Sequence, residues 1–274
     1  MDERNHYREQ LYHHSITIKL MIRVENLHKS FGDLDVLNGI STTFEKGQTN
    51  LIIGQSGSGK TVFLKCMLGL FEPDDGYICY GSSTYQELTP KKRRELRKQI
   101  GMVFQGGALF DSMTVEQNVM FPMKMLSKAT KAEMKDRVNE VLKRVNLTNA
   151  NDKLPSEISG GMQKRVSIAR AIVNRPKFLF CDEPNSGLDP RTATVIDNLI
   201  QEITHEFDIT TVINSHDMNS VFEIGEKIVY LEKGLIAWEG DKNLIYKTDN
   251  KAVTDFVYSS DLFKKVRVAQ QKGY

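Results

Sequence analysis

Cysteine is scarce in this chain of 274 residues, and no apolar run approaches a membrane span. The three cysteines, Cys66, Cys79 and Cys181, are odd in number and lie in apolar stretches. That pattern excludes a disulfide framework and a cysteine metal cage, and reads as core thiols of a reducing compartment. A bilayer crossing needs about 18–20 consecutive apolar residues, and none is present. Residues 1–20 are polar and His-rich, without the apolar centre of a signal peptide. An excess of one charge is also lacking. The net charge is +2, which argues neither for nor against nucleic acid. There is no internal repeat and no low-complexity tract. The Asn146-Leu147-Thr148 sequon is set aside because nothing in the chain indicates secretion.

What remains suits one large domain or a core with a small subdomain, long enough to bury its apolar surface without staples. Met21 stands directly before the first alternating strand, Ile22 to Leu27. Residues 1–20 therefore read either as a segment ahead of the natural start or as a loose extension. Residues 22–53 read as strands and tight turns, ending in Leu51-Ile52-Ile53. A helix is expected over 60–70, then a hairpin and loop over 73–89, then a basic helix from Lys91 to Lys98. That basic helix reads first as a solvated face and second as an anionic-lipid surface. From Thr114 to Leu147 the period is helical, with Met134, Val138, Val141, Leu142 and Val145 on one stripe. An α/β pattern resumes at Phe178, so 106–175 is read as a helical insertion in an α/β core. Two strands close the fold over 227–240. Residues 241–274 are read as a tail, either docking or frayed.

Two segments look built for phosphate. Gly54-Gln55-Ser56-Gly57-Ser58-Gly59-Lys60-Thr61 is a complete P-loop between an apolar strand and a helix. Gly54, Gly57 and Gly59 let backbone N–H groups close on phosphates. Lys60 adds a point charge, and the Thr61 hydroxyl suits Mg²⁺. Ser159-Gly160-Gly161-Met162-Gln163 opens a second helix, whose free N–H groups and dipole also favour an anion. Nothing local says which phosphate this second start serves.

Phe178-Leu179-Phe180-Cys181-Asp182-Glu183 is an apolar strand ending in two carboxylates, the Walker B pattern. Asp182 is assigned to the metal. Glu183, sent elsewhere by strand alternation, is assigned to take a proton from attacking water. Gln105 and His216 each follow an apolar strand, and ligands bind at the carboxyl ends of strands in open α/β sheets. Gln105 is expected to order the water or complete the metal shell. Ser215-His216-Asp217 is not a hydrolase triad, since adjacent residues cannot converge. His205-Glu206 lacks the second histidine of a zincin.

The P-loop, Gln105, Ser159-Gly160-Gly161, Asp182-Glu183, Gly187-Leu188-Asp189 and His216, in that order, resemble the nucleotide-binding domain of ABC transporters over residues 21–240. The resemblance implies a P-loop NTPase core of α/β class with an antiparallel β subdomain and an inserted helical subdomain. It implies ATP and Mg²⁺, with Thr61, Gln105 and Asp182 at the metal and Glu183, His216 and Gln105 catalytic. It adds Phe31 on the adenine and Val36 and Val62 in the ATP pocket; without it, Phe31 reads as a core or turn aromatic. It implies a head-to-tail homodimer, in which Ser159 to Gln163 of one copy closes on the phosphate of the other and Asp189 lies at the seam. It implies an integral membrane permease, a place on the cytoplasmic face of the bacterial inner membrane, and no nucleic acid partner.

Three stretches narrow the resemblance: Phe104 to Val115, Ser159 to Arg165 and His216 to Val221. They are similar to the Mla-type ATPases of phospholipid traffic and organic-solvent tolerance, which work with a lipid-binding substrate protein. Met162 stands where the general pattern has glutamine and is a mark of that subtype. The alternatives are a small-solute importer ATPase or a non-transport ABC subunit in signalling or cell division. Translation-type members carry two nucleotide domains in one chain and repair-type members a long coiled coil; neither feature is here. Residues 107–126, rich in methionine and aromatics, are a candidate permease-facing groove, with helical packing the alternative for any one residue.

Overall fold

In the computed structural model, residues 21–258 are described. The expectations for residues 1–20 and the last part of the tail lie outside them. β1 (Ile22–Phe31), β2 (Leu34–Phe44), β4 (Asp75–Tyr80) and β5 (Ser83–Thr84) form an antiparallel sheet in the order β2-β1-β4-β5. A second sheet runs β10-β9-β3-β8-β7-β6. Its members are β3 (Thr49–Ile53), β6 (Ile100–Val103), β7 (Phe178–Asp182), β8 (Thr210–Asn214), β9 (Lys227–Glu232) and β10 (Leu235–Gly240). All its neighbouring pairs are parallel except β9 with β10. This α/β arrangement, with its antiparallel subdomain, is the expected fold class.

The inner strands of the second sheet are buried on both faces, which is why β3, β7 and β9 read as largely apolar runs. Alternation divides them between two cores. Leu51, Ile53, Leu179, Cys181 and Tyr230 face one cluster, whereas Ile52, Phe178, Phe180, Val229 and Leu231 face the other. The latter core is shared with the antiparallel sheet and with α1 (Lys60–Met67), which contributes Phe63, Leu64 and Met67. The short basic helix α2 (Pro90–Arg97) is capped by Thr89 and buries only Leu96. The three cysteines are buried and unpaired, and burial pushes the Cys66 thiol up to about 11.

The helical stretch read from Thr114 to Leu147 is two helices, where the periodicity suggested one. Thr114 opens α3 (Val115–Leu126) with a capping box to Gln117, and Thr130 opens α4 (Lys131–Arg144) with another to Glu133. The second box restarts the chain after Ser127 and so sets the break. Val138, Val141, Leu142 and Val145 are buried as the stripe predicts. α5 (Gly160–Ile172), α6 (Pro190–Glu206) and α7 (Met218–Ile224) complete the layer on that side of the sheet.

The described fold does not end at 240. Ile245, Val253, Val257 and Tyr258 belong to the larger core, the last three in or just after α8 (Lys251–Val257). This part of the expected tail is neither frayed nor free. Val253 and Val257, four residues apart on one helical face, drive its packing.

Candidate active site

Register places the predicted residues on one edge of the large sheet. Ile52, Asn214 and Asp182 pair across β3, β8 and β7, and Val103 of β6 pairs with Cys181 one residue back. The strands are parallel, so the loops after β3, β6, β7 and β8 leave in one direction. They carry the P-loop, Gln105, Glu183 and His216 respectively.

A cavity of about 740 Å³ opens there, lined by Gly54, Gln55, Ser56, Gly57, Gly59, Lys60, Thr61, Val62 and Val36, together with Glu183 and His216. Gly54 has a φ of 151°, and a Cβ on it would sit 2.3 Å from the Leu231 carbonyl oxygen, so only glycine fits. The Lys60 ammonium donates to the carbonyl oxygens of Gly54 at 2.8 Å and Gln55 at 2.9 Å. Burial pulls its pKa down from the ordinary lysine value, opposed by the charges of Glu183 and Asp182. The Ser58 hydroxyl is buried without a hydrogen-bond partner among the described residues. Lined in this way, the loop is prepared for an anion.

Glu183 is the focus of the other three loops. Its Oε2 accepts from Gln105 Nε2 at 2.9 Å, and its Oε1 lies 2.9 Å from His216 Nδ1. Strand alternation is not what separates it from Asp182. Glu183 lies past the strand, at a φ of 46°, with its N–H donating to the Asn214 carbonyl at 3.0 Å. A left-handed turn, rare for this residue type, aims the carboxylate. Asp182 Oδ1 accepts from Asn214 Nδ2 at 3.1 Å. The hydroxyl of Thr61, the amide oxygen of Gln105 and the Asp182 carboxylate are hard oxygen donors, the set that fits Mg²⁺. Among the described residues, no cluster of three His, Cys, Asp or Glu offers a competing metal site.

Other predicted residues stand apart from this cavity. Phe31 is not in its lining; the ring packs edge-to-face on Phe71, with centroids 5.3 Å apart. Leu34 and Phe256 are there instead, and neither was picked out in the sequence. Leu34 begins β2 as an ordinary strand residue. Phe256 lies on α8, four residues after Ala252, in a stretch without a motif.

Ser159, Gly160 and Gly161 also lie outside the lining of their own chain's cavity. Ser159 caps α5 by accepting from Met162 N–H at 3.3 Å. Of the five segment residues, two turn inward. Met162 packs against the core, and Gln163 Nε2 donates to the Pro155 carbonyl at 2.9 Å. The Gln163 amide is therefore used inside the chain, and the outward surface is left to Ser159 and the two glycines. Asp189 caps α6, accepting from Thr192 N–H at 3.0 Å and Thr192 Oγ1 at 2.5 Å, which holds its carboxyl below the usual range. A Cβ on Gly161 would lie 2.8 Å from Thr192 Cγ2, so the starts of α5 and α6 are in close contact.

The candidate coupling segment divides in the same manner. Val119 and Met123 are core residues, whereas Phe110, Met125 and Leu126 are exposed, as is the flanking Phe104. Phe110 rests on Phe121 with centroids 4.8 Å apart.

The chain matches the ABC transporter family over residues 37–186. It is 36% identical over 236 residues to the probable ribonucleotide transport ATP-binding protein mkl of Mycobacterium tuberculosis, covering 86% of this chain and 66% of that protein. The chain thus spans about two thirds of that relative's length. It is 39% identical over 233 residues to the nopaline permease ATP-binding protein P of Agrobacterium fabrum, covering 81% of this chain and 90% of that one. A solved ATP-binding cassette, described as a dimer in a post-hydrolysis state bound to ADP and Pi, superposes with a TM-score of 0.73. It is 29% identical and covers 81% of this chain and 98% of its own. The P-loop, the Asp182-Glu183 pair and the Ser159 helix start thus have their common explanation: this chain belongs to the ABC transporter family, as its ATP-binding cassette.

Proposed function

We propose that the chain hydrolyses ATP as a homodimer and drives an integral membrane permease in phospholipid traffic. The observation that carries the hydrolytic part is the convergence of Gln105 and His216 on Glu183, beside the P-loop. Glu183 takes the proton from the attacking water, and His216 and Gln105 orient its carboxylate. Lys60, Ser58 and the loop N–H groups hold the phosphates, and Val36, Val62, Leu34 and Phe31 are available to the nucleoside end. Thr61, Asp182 and Gln105 would hold Mg²⁺, which when bound neutralises charge on the phosphate oxygens. Ser159, Gly160 and Gly161 are not in the lining of their own chain's cavity, which supports a site completed by a second copy, with Asp189 at the seam.

No described helix is long and apolar enough to cross a membrane. A permease would supply that part, with this chain held on the cytoplasmic face of the inner membrane. The exposed side chains of Phe104, Phe110, Met125 and Leu126 suit an adaptable contact with a permease helix. The lipid assignment is supported by the similarity of Phe104 to Val115, Ser159 to Arg165 and His216 to Val221 to the Mla-type ATPases, which work with a lipid-binding substrate protein. A small-solute importer is the second reading, favoured by the likeness to a nopaline permease subunit.

Purification with the native permease separates the two. Phospholipid in the detergent-solubilised complex, and turnover stimulated by lipid vesicles, are expected. Stimulation by a solute with its binding protein, and none by lipid, would replace the lipid reading. Glu183→Gln tests the base: turnover is expected to vanish while ATP binding and dimerisation persist. Turnover near wild type would remove Glu183 from that role.

A further inference from the structure

One buried side chain joins the loop that follows β7 to the loop that follows β8. Asn185 is 8% exposed, and its neighbours Asp197 of α6 and Ser220 of α7 are more deeply buried still. Asn185 Nδ2 donates to Ser220 Oγ at 2.8 Å. It also reaches the two oxygens of Asp197 at 3.2 and 3.4 Å and Asp217 Oδ2 at 3.4 Å. Ser220 Oγ in turn donates to Asp197 Oδ2 at 2.7 Å. An ionised carboxylate only accepts, so the amide nitrogen, not the amide oxygen, must face this group.

The two loops carry the residues assigned to hydrolysis. Glu183 stands two residues before Asn185, and His216 one residue before Asp217. A first tie between the loops is the Glu183 N–H, which donates to the Asn214 carbonyl at 3.0 Å. Asn185 supplies a second tie further along both. The 2.9 Å contact of Glu183 Oε1 with His216 Nδ1 is bracketed by the two, with Asn214 before His216 and Asp217 after it.

Each loop is braced from within. Ser186 N–H donates to the Glu183 carbonyl, and Leu188 N–H to the Asn185 carbonyl, each at 3.2 Å. Asp217 caps α7 with its other oxygen, accepting from Asn219 N–H at 2.9 Å, and its own N–H donates to Ser215 Oγ at 3.0 Å. The relative placement of two such loops is left to the ties between them. The His216 side chain is 63% exposed, so core packing does little to hold the ring.

We propose that Asn185 is a positioning residue for hydrolysis: its amide clamps the His216 loop to the Glu183 loop and so fixes the imidazole against the carboxylate. This role rests on the reading of Glu183 as the base, with His216 orienting it. It also gives a task to Asp197 and Ser220, neither of which lines the ATP cavity: they hold the amide.

Steady-state ATP hydrolysis of the full chain tests the clamp, at a temperature where thermal unfolding shows each variant folded. Asn185→Ala is expected to lower kcat about tenfold and leave KM for ATP within about twofold, since the phosphate loop is untouched. Ser220→Ala removes one acceptor and keeps the amide. It is expected to lower kcat about threefold, and it carries the same test if Asn185→Ala does not fold. Both losses should vanish in the His216→Ala background, where no ring is left to place. A merely structural role predicts the same factor in both backgrounds, and that result overturns the proposal. So does a kcat for Asn185→Ala within about twofold of wild type when His216→Ala is itself slow. A crystal structure of Asn185→Ala reads the clamp without reference to catalysis. The Glu183–His216 contact should open beyond hydrogen-bond distance, and an unchanged 2.9 Å overturns the proposal. Wild-type turnover in His216→Ala alone would instead remove the reading that His216 acts on the base, and the crystal structure would still report on the clamp.

Discussion

Glu183 Oε1 and His216 Nδ1 lie 33 residues apart in the chain and meet at 2.9 Å. Two adjacent parallel strands, β7 and β8, end side by side and make that meeting possible. With Gln105 on the other oxygen, the carboxylate is held from both sides, and it is this grip that the mutations below would loosen.

His216→Ala is expected to reduce kcat by about 10²-fold while KM for ATP changes little, because the side chain acts on the base and not on the bound phosphates. The double variant with Glu183→Gln should be no slower than Glu183→Gln alone. Steady-state kinetics of the three proteins check both statements.

Gly161→Ala places a methyl carbon 2.8 Å from Thr192 Cγ2, and Thr192 cannot swing aside freely because its N–H and hydroxyl are both bonded to Asp189. A loss of about 1–3 kcal/mol is expected from the overpacking. Thr192→Ser, which removes the methyl and keeps the hydroxyl, should restore stability in a denaturant titration.

Arg170→Met leaves the carbonyl oxygens of Gly107 and Ala108 without their donor. A loss of about 2–3 kcal/mol is expected, with a fall in kcat as the loop that begins at Gln105 loosens. Chemical unfolding measures the first and ATP hydrolysis the second.

Asp197 of α6 is buried beside Asn185 and Ser220, and burial, with Asp217 and Glu223 nearby, pushes its carboxyl up to about 6 from 3.8. The Ser220 and Asn185 hydrogen bonds oppose the rise without cancelling it. A folded-state pKa above the unfolded one means that the proton is bound more tightly in the native protein. The stability it contributes is complete below the unfolded value and lost as pH rises through about 6. Asp197→Asn should therefore gain on wild type between pH 4.5 and 7.5, by at most about 3 kcal/mol. Unfolding curves at the two pH values check the sign.

Contiguous chemistry was legible in the chain. The P-loop announces itself because phosphate binding needs a local backbone shape, written in neighbouring glycines followed by Lys60 and Thr61. Asp182-Glu183 is similarly marked by the apolar run before it. Gln105 and His216 were readable only as strand ends, and their shared partner was not, since it depends on which strands lie side by side. Lys164 sits in an unremarkable basic pair with Arg165, and nothing in that pair tells a core ammonium from a solvated one. Phe256 was missed for the same reason: α8 is short, and its role at the cavity follows from where the chain returns.

The amino-acid sequence by itself determined the elements and the local devices: the periodicities, the caps at Thr114 and Thr130, the glycine loop and the carboxylate pair. Each is encoded within a few residues, where backbone sterics and hydrogen bonding act directly. Tertiary structure decided the relationships. It turned Glu183 through a left-handed bend onto Gln105 and His216, left Ser159 outside the lining of its own chain's cavity, turned Gln163 inward, and enclosed Lys164. Those outcomes depend on strand order and on two cores being filled at once, and no short stretch of chain specifies either.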